Sequence, residues 1–364
     1  MVPAAAAIVA LAVGELDHPA TALRPLAAPI GFLLVAVPLA ALLDDIGFFD
    51  AASAAFARGT HLVLGLWVLG AVVTTTLNLD AAVVLLTPLY VRIARRRGLD
   101  PLALAFQPVL LSCLASSALP VSNLTNLIAA SAVHLDARDF LAHLALPSLV
   151  ATVVGWFAYT WACRPGVPSS SADEPVARRP LVIGSVVVAA VVVGFVAGSA
   201  FGVPEWTVAL VADVVLVAMT RRVPLRFVPW DTAVVAASLG VLAIGAASHV
   251  DLSSWFGGTG NVAFVRVAAL GAVAANVVNN LPALLVALPH ASGDNVWALL
   301  LGVNIGPLVL VTGSLAALLW QATLARLDVH VGAADFARVG TRVVLPSLLA
   351  AVATSLVLAN VGAM

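Results

Sequence analysis

The chain has 364 residues, of which 62% are apolar and 10% charged, with a formal net charge of −1 and a mean hydropathy of +1.10. Soluble domains carry about 25% charged residues, so a soluble enzyme, a disordered chain and a nucleic-acid binder with a basic footprint are all excluded. At roughly 20 residues per crossing, the length holds about ten membrane spans with short loops.

In chain order, residues 1–14 are apolar without a basic leader, which predicts a first span or half-span, not a cleaved signal peptide. The next helix ends near Asp44 and Asp45, both expected at the interface. Residues 62–91 are flanked by Arg58 and Arg92. Arginine clusters mark the cytoplasmic side, so both ends lie inside and the segment is expected to be a re-entrant hairpin. Residues 102–134 cross outward and 141–162 return. A Pro/Ser-rich stretch follows. Residues 181–200 go out, 206–219 come back and 231–248 go out again. Residues 262–289 begin and end on loops outside the arginine clusters, which predicts a second re-entrant hairpin, entering from the other side. Residues 296–327 cross inward and 339–358 exit. The expected fold is therefore an all-α polytopic membrane protein of two inverted-topology repeats, at 1–162 and 181–364, joined by a cytoplasmic linker at 163–180. Each repeat has a re-entrant helical hairpin and a broken transmembrane helix. Nine full crossings put the N-terminus in the cytoplasm and the C-terminus outside.

Polar runs interrupt the apolar segments at matching places. The hairpins carry Thr74-Thr75-Thr76-Leu77-Asn78-Leu79-Asp80 and Asn276-Val277-Val278-Asn279-Asn280-Leu281-Pro282. The helices that follow carry Ser116-Ser117-Ala118-Leu119-Pro120-Val121-Ser122-Asn123-Leu124-Thr125-Asn126 and Asn304-Ile305-Gly306-Pro307, then Thr312-Gly313-Ser314. Proline removes a donor and glycine loosens a helix, and non-helical backbone at membrane depth is tolerated only beside protein or a watery cavity. Paired hairpin tips and broken helices are a transporter signature. The expected solute-binding set is Asn78, Ser116, Ser117, Ser122, Asn123, Asn126, Asn279, Asn280, Asn304, Thr312, Gly313 and Ser314. Asp80, the only carboxylate in either tip or break, is the expected ion-coupling residue, since acids inside a membrane are functional by default. Asp213, mid-span, is next in line. Arg266 is expected to snorkel or to attract an anion.

Cys113 is expected to pack, and two cysteines make no disulfide framework. The seven histidines show no metal-ligand spacing, so neither a metal nor another cofactor is expected. The chain contains no lysine, hence no phosphate-binding loop of the Gly-x-x-x-x-Gly-Lys type, and any ATP drive would need a separate ATPase subunit.

Several of these stretches carry a family resemblance: Leu42-Leu43-Asp44-Asp45-Ile46-Gly47-Phe48-Phe49-Asp50, residues 78–88, Ser122-Asn123-Leu124-Thr125-Asn126, Pro229-Trp230, Asn279-Asn280-Leu281-Pro282, and Gly306-Pro307 through Gly313-Ser314-Leu315-Ala316-Ala317-Leu318-Leu319-Trp320. From about residue 30 onward the chain resembles the arsenical pump membrane protein (ArsB) family of the ion transporter superfamily. The resemblance implies two inverted repeats and export of arsenite or antimonite across the inner (plasma) membrane in exchange for protons, with lipid as the surrounding partner. Arsenite at neutral pH is mostly As(OH)3, a neutral triol that suits Asn, Ser and Thr groups. The alternative is a sodium- or proton-coupled transporter of a small anion such as a dicarboxylate or sulfate. Dicarboxylate symporters typically show Ser-Asn-Thr at both tips, and neither tip here does.

Overall fold

The computed structural model describes residues 19–56, 61–76, 79–168, 177–201, 203–231, 233–235, 237–238, 241 and 251–360. Residues 1–14, Asn78, most of 231–248 and residues 169–176 of the linker lie outside them. Among the described residues every regular element is helical. The first half contains α1 (Pro19–Asp45), α2 (Phe48–Phe56), α3 (Leu62–Thr76), α4 (Leu79–Arg96), α5 (Pro101–Leu114), α6 (Leu124–Val133) and α7 (Ala137–Cys163). The second contains α8 (Arg178–Ala200), α9 (Glu205–Thr220), α10 (Gly260–Val278), α11 (Asn280–Ala287), α12 (Asp294–Ile305), α13 (Leu315–Arg326) and α14 (Ala333–Asn360).

The chain is an all-α polytopic membrane protein. Among the described residues, four helices (α7, Arg178–Phe195 of α8, α10 and α14) are long and apolar enough to cross a bilayer alone. The pair Ile30–Asp45 and Phe48–Ala55, bent by 72°, is long and apolar enough only when its two arms are taken together. Large apolar side chains point outward, among them Val153, Phe157, Leu345 and Leu349. Such a surface is stable only where lipid is the solvent.

The helix boundaries have local causes. Residue 141, the expected start of its span, lies inside α7. The helix begins at Ala137 because Asp136 caps it: its carboxylate accepts from the N–H groups of Arg138 (2.8 Å) and Asp139 (3.0 Å), and Asp139 reciprocates (2.8 Å). Those donors, the Asp139 N–H first, hold the Asp136 carboxyl below the usual carboxylate range. Pro147 has no N–H to give, and the helix widens into a π turn at Leu141–Ala145 just before it. The segment 62–91 is described as α3 and α4, either side of residues 77–78, and the segment 262–289 is interrupted at Asn279. The second has unequal arms: α10 has 19 residues, whereas α11 has 8 and ends in a 3-10 turn at Pro289.

Helix contacts recur with the halves exchanged. α3 and α4 pack on α5, as α10 and α11 pack on α12. α4 meets α13 and α11 meets α6; α5 meets α13 and α12 meets α6. The two long helices that follow the breaks, α7 and α14, lie along each other. The Trp320 indole N–H on α13 donates to the Ala105 carbonyl on α5 at 2.7 Å, tying the halves together. The arginine-rich ends gather on one face. There Arg92 pairs with Asp44 and Asp50, and Arg95 donates to the Leu327 carbonyl at 2.6 Å.

Close approach of small residues sets the spacing of α10 and α12. Gly302 and Gly306 interlock with Ala268 and Ala272, so that a Cβ on Gly302 would stand 2.2 Å from the Ala268 carbonyl oxygen. Membrane helices pack through such small-residue faces. We expect Gly302→Ala to destabilise the fold by ~1–3 kcal/mol through overpacking, lowering the detergent-solubilised melting temperature. Gly65→Ala, where a Cβ would meet nothing within 4 Å, should leave it unchanged. Equal melting temperatures for Gly302→Ala and wild type would show that this interlock does not set the spacing.

Candidate functional site

Two helices break in the same way. α5 stops at Leu114, residues 115–123 are irregular apart from a 3-10 turn (Pro120–Ser122), and α6 starts at Leu124 with Asn123 as N-cap. α12 stops at Ile305, residues 306–314 are irregular apart from a 3-10 turn (Val311–Gly313), and α13 starts at Leu315 with Ser314 as N-cap. The cap side chains accept from Thr125 N–H at 3.1 Å and Ala317 N–H at 3.0 Å.

Side chains take up the peptide groups that the breaks release. Asn126 Nδ2 donates to the carbonyls of Ser116 and Leu119, both at 2.9 Å. Asn276 donates to the Gly306 carbonyl at 2.9 Å and accepts from the N–H groups of Val309 and Leu310 at 3.0 Å. The Thr75 hydroxyl reaches the Ala115 carbonyl at 2.8 Å, and Ser122 Oγ donates to the Thr75 carbonyl. Thr75 and Asn276 each stand four residues before the start of the next helix, α4 and α11, so each of these polar runs is stapled to the break in its own half.

Asn304 joins the two breaks. Its Nδ2 donates to Asn126 Oδ1 at 2.7 Å, and its Oδ1 accepts from Thr125 Oγ1 at 2.6 Å and Asn123 Nδ2 at 3.1 Å. Asn123 also reaches the Ser116 hydroxyl at 3.3 Å. All five residues are buried.

Beside this cluster is a small cavity of about 20 Å³. It is lined by Leu79 and Asp80 of α4, Asn123, Leu124 and Thr125 at the start of α6, Asn280 and Leu281 of α11, and Leu315 and Ala316 of α13. Four helices thus begin at one point, two from hairpin tips and two from breaks. A helix N-terminus carries roughly +0.5 elementary charge, so about +2 in sum faces the single Asp80 carboxylate. Converging helix starts and one carboxylate suit a small solute with both hydroxyl and acceptor oxygens. The volume holds roughly one water, so the helix starts must separate to admit anything larger.

The residues expected at the site divide into two groups. Asp80, Asn123 and Asn280 line the cavity, and Ser116, Asn126 and Asn304 form the cluster behind it. Ser122, Asn279, Thr312, Gly313 and Ser314 are engaged in local structure. Asn279, with φ 82°, caps α11 and donates to the Thr312 carbonyl at 3.0 Å; a Cβ on Gly313 would stand 2.5 Å from the Pro307 carbonyl oxygen. The Ser117 hydroxyl is buried without a partner among the described residues. Thr75, Thr125 and Asn276 carry these contacts and were not among the residues expected there. Their signal was their place inside the polar runs. Elsewhere, Cys113 is buried beside Ser112, and Arg266 donates to the carbonyls of Trp255 (3.1 Å) and Gly257 (2.5 Å). Asp213 is buried on α9, away from the cavity. Among the described residues no group of three or more His, Cys, Asp or Glu side chains could hold a metal ion.

Residues 1–313 match the family model described as citrate transporter (CitMHS). The chain belongs to that family. Curated relatives named arsenical pump membrane protein come from Escherichia coli strain K12 and Shigella flexneri; each is 27% identical, across 90% of this chain and 85% of theirs. A Yersinia enterocolitica protein of the same name is 27% identical, across 88% of this chain and 84% of its own. This family member is therefore a membrane transporter. If Asn304 clamps its halves, a double-mutant cycle between Asn304→Ala and Asn126→Ala should give a coupling of ~1 kcal/mol in denaturant unfolding from mixed micelles. Additive losses would show that the amides act independently.

Proposed function

We propose that the chain exports arsenite or antimonite by exchange with protons at the cavity around Asp80. The observation that carries this reading is one carboxylate set among four helix starts. The negative charge offsets the converging dipoles, which suits a neutral triol: its hydroxyls donate to Asp80 while its oxygens accept from helix N–H groups. The names of the curated relatives support the same solute class. Protonation of Asp80 removes the countercharge and an acceptor, so proton and solute compete, as exchange requires. The solute-contact residues proposed are Asp80, Asn123, Thr125 and Asn280, with Asn304, Asn126 and Ser116 behind them. Ser117, Ser122, Asn279, Thr312, Gly313 and Ser314 belong to the tips and breaks that frame the cavity.

The exchanged helix contacts support two inverted repeats, 1–162 and 181–364, in the cytoplasmic membrane, with the arginine-rich face inside. No ATPase subunit is required by this exchange. A second reading has one favouring observation: the positive helix starts, together with the family's citrate description, suit a small carboxylate anion carried with sodium or protons.

Uptake into inverted vesicles separates them. We expect arsenite and antimonite to accumulate when an imposed proton gradient is acid inside, and citrate to be ignored. Citrate or sulfate uptake without arsenite uptake would favour the second reading. Asp80→Asn, a permanently neutral stand-in for the protonated side chain, should weaken arsenite binding and lose gradient-driven accumulation; full accumulation would move coupling elsewhere. For orientation, single cysteines replacing the exposed His330 and Ser292 should react with an impermeant thiol reagent from opposite sides of the membrane. Labelling of both from one side would sink the inverted topology.

A further inference from the structure

At the far end of α10 and α12 from their break lies a second, larger cavity of about 260 Å³, which shares no residue with the one around Asp80. Two helix starts face it, at Gly260 of α10 and Asp294 of α12, and neither has a side-chain cap. The lining loop Gly258-Thr259-Gly260-Asn261 is fixed from behind. Asn295 Nδ2 donates to the carbonyls of Phe256 (3.2 Å) and Gly258 (2.9 Å), while Arg266 holds those of Trp255 and Gly257. The N–H groups of Gly258, Thr259, Gly260 and Asn261 make no hydrogen bond to another described residue. Gly258 and Gly260, at φ 92° and 82°, hold the loop in a left-handed backbone that favours glycine. Independently of the helix starts, Ser355 on α14 lines the same cavity. It is 2% exposed, and its hydroxyl has no partner among the described residues. A buried hydroxyl left unpaired keeps its desolvation penalty, which a ligand oxygen would remove.

We propose that this cavity binds a small oxyanion of the phosphate class, held by the two helix starts, the loop N–H groups and the Ser355 hydroxyl. The lining is rich in donors, and the Arg266 guanidinium stands behind the loop, so the field favours an anion. The exposed Asp294 carboxylate on the rim opposes it and sets the affinity low. The inference does not rest on the solute proposed for the Asp80 cavity. The same chemistry fits free phosphate and the phosphate of a lipid headgroup.

The test is equilibrium binding of radiolabelled inorganic phosphate to the purified full chain in a phosphate-free maltoside detergent. One saturable site is expected. Ser355→Ala, which keeps the helix, should weaken binding about tenfold, and Asp294→Asn should tighten it several-fold. Asn280→Ala, at the Asp80 cavity, should not change it. Displacement by short-chain phosphatidylglycerol would assign the site to a lipid headgroup, and no displacement to a free oxyanion; either supports the site. Absence of saturable binding, wild-type affinity in both Ser355→Ala and Asp294→Asn, or loss of binding in Asn280→Ala would overturn it.

Discussion

In hydrocarbon a peptide group cannot turn to water, so any unwound backbone must find its partners within the protein. This chain unwinds two helices, at residues 115–123 and 306–314, and the rest of the structure depends on how those groups are satisfied. Asn126 and Asn276 take up the released peptide groups within each half. Asn304 then bonds to Asn123, Thr125 and Asn126 across the halves. The buried polar material is therefore organised as one joint, with apolar helix packing around it.

That joint has a geometric consequence. Each break restarts its helix toward the centre, and each hairpin restarts its second arm there too. Thr75 and Asn276 staple the hairpins at equivalent positions. Four N-termini then meet around one carboxylate, which is unusual electrostatic material for a membrane interior and explains why Asp80 is tolerated there. Close-fitting glycines keep the breaks compact. A Cβ on Gly340 of α14 would stand 1.6 Å from the Leu308 carbonyl oxygen, and one on Gly155 of α7 would stand 2.3 Å from the Leu114 side chain. The long helices press on the breaks from outside.

Much of the architecture was legible in the sequence because lipid imposes a simple code. Uninterrupted apolar runs became α7, α8, α10 and α14, and Pro120 and Gly306-Pro307 fall within the helix breaks. The division of labour among the polar residues was not legible. Asn279 and Asn123 read alike as solute-binding asparagines within polar runs, yet Asn123 lines the cavity and Asn279 is spent on the Thr312 carbonyl. Which side chain reaches solute and which holds backbone depends on pairings across 30 to 180 residues, and local pattern carries no record of those. Thr125 was overlooked for the same reason, since its partner, Asn304, lies in the other half. The donor-rich cavity near Ser355 was equally hidden: its lining comes from three helices and a glycine loop, none of them polar enough to stand out.

The central claim is that solute sits where the four helix starts meet. Antimonite offers a direct readout because antimony scatters anomalously. Crystals of the full chain grown with antimonite should show one strong anomalous peak bounded by Asp80, Thr125, Asn280 and Ala316, with the hairpin tips displaced to make room. A peak confined to the Cys113 or Cys163 thiols, or one lying outside the helix starts altogether, would contradict the account.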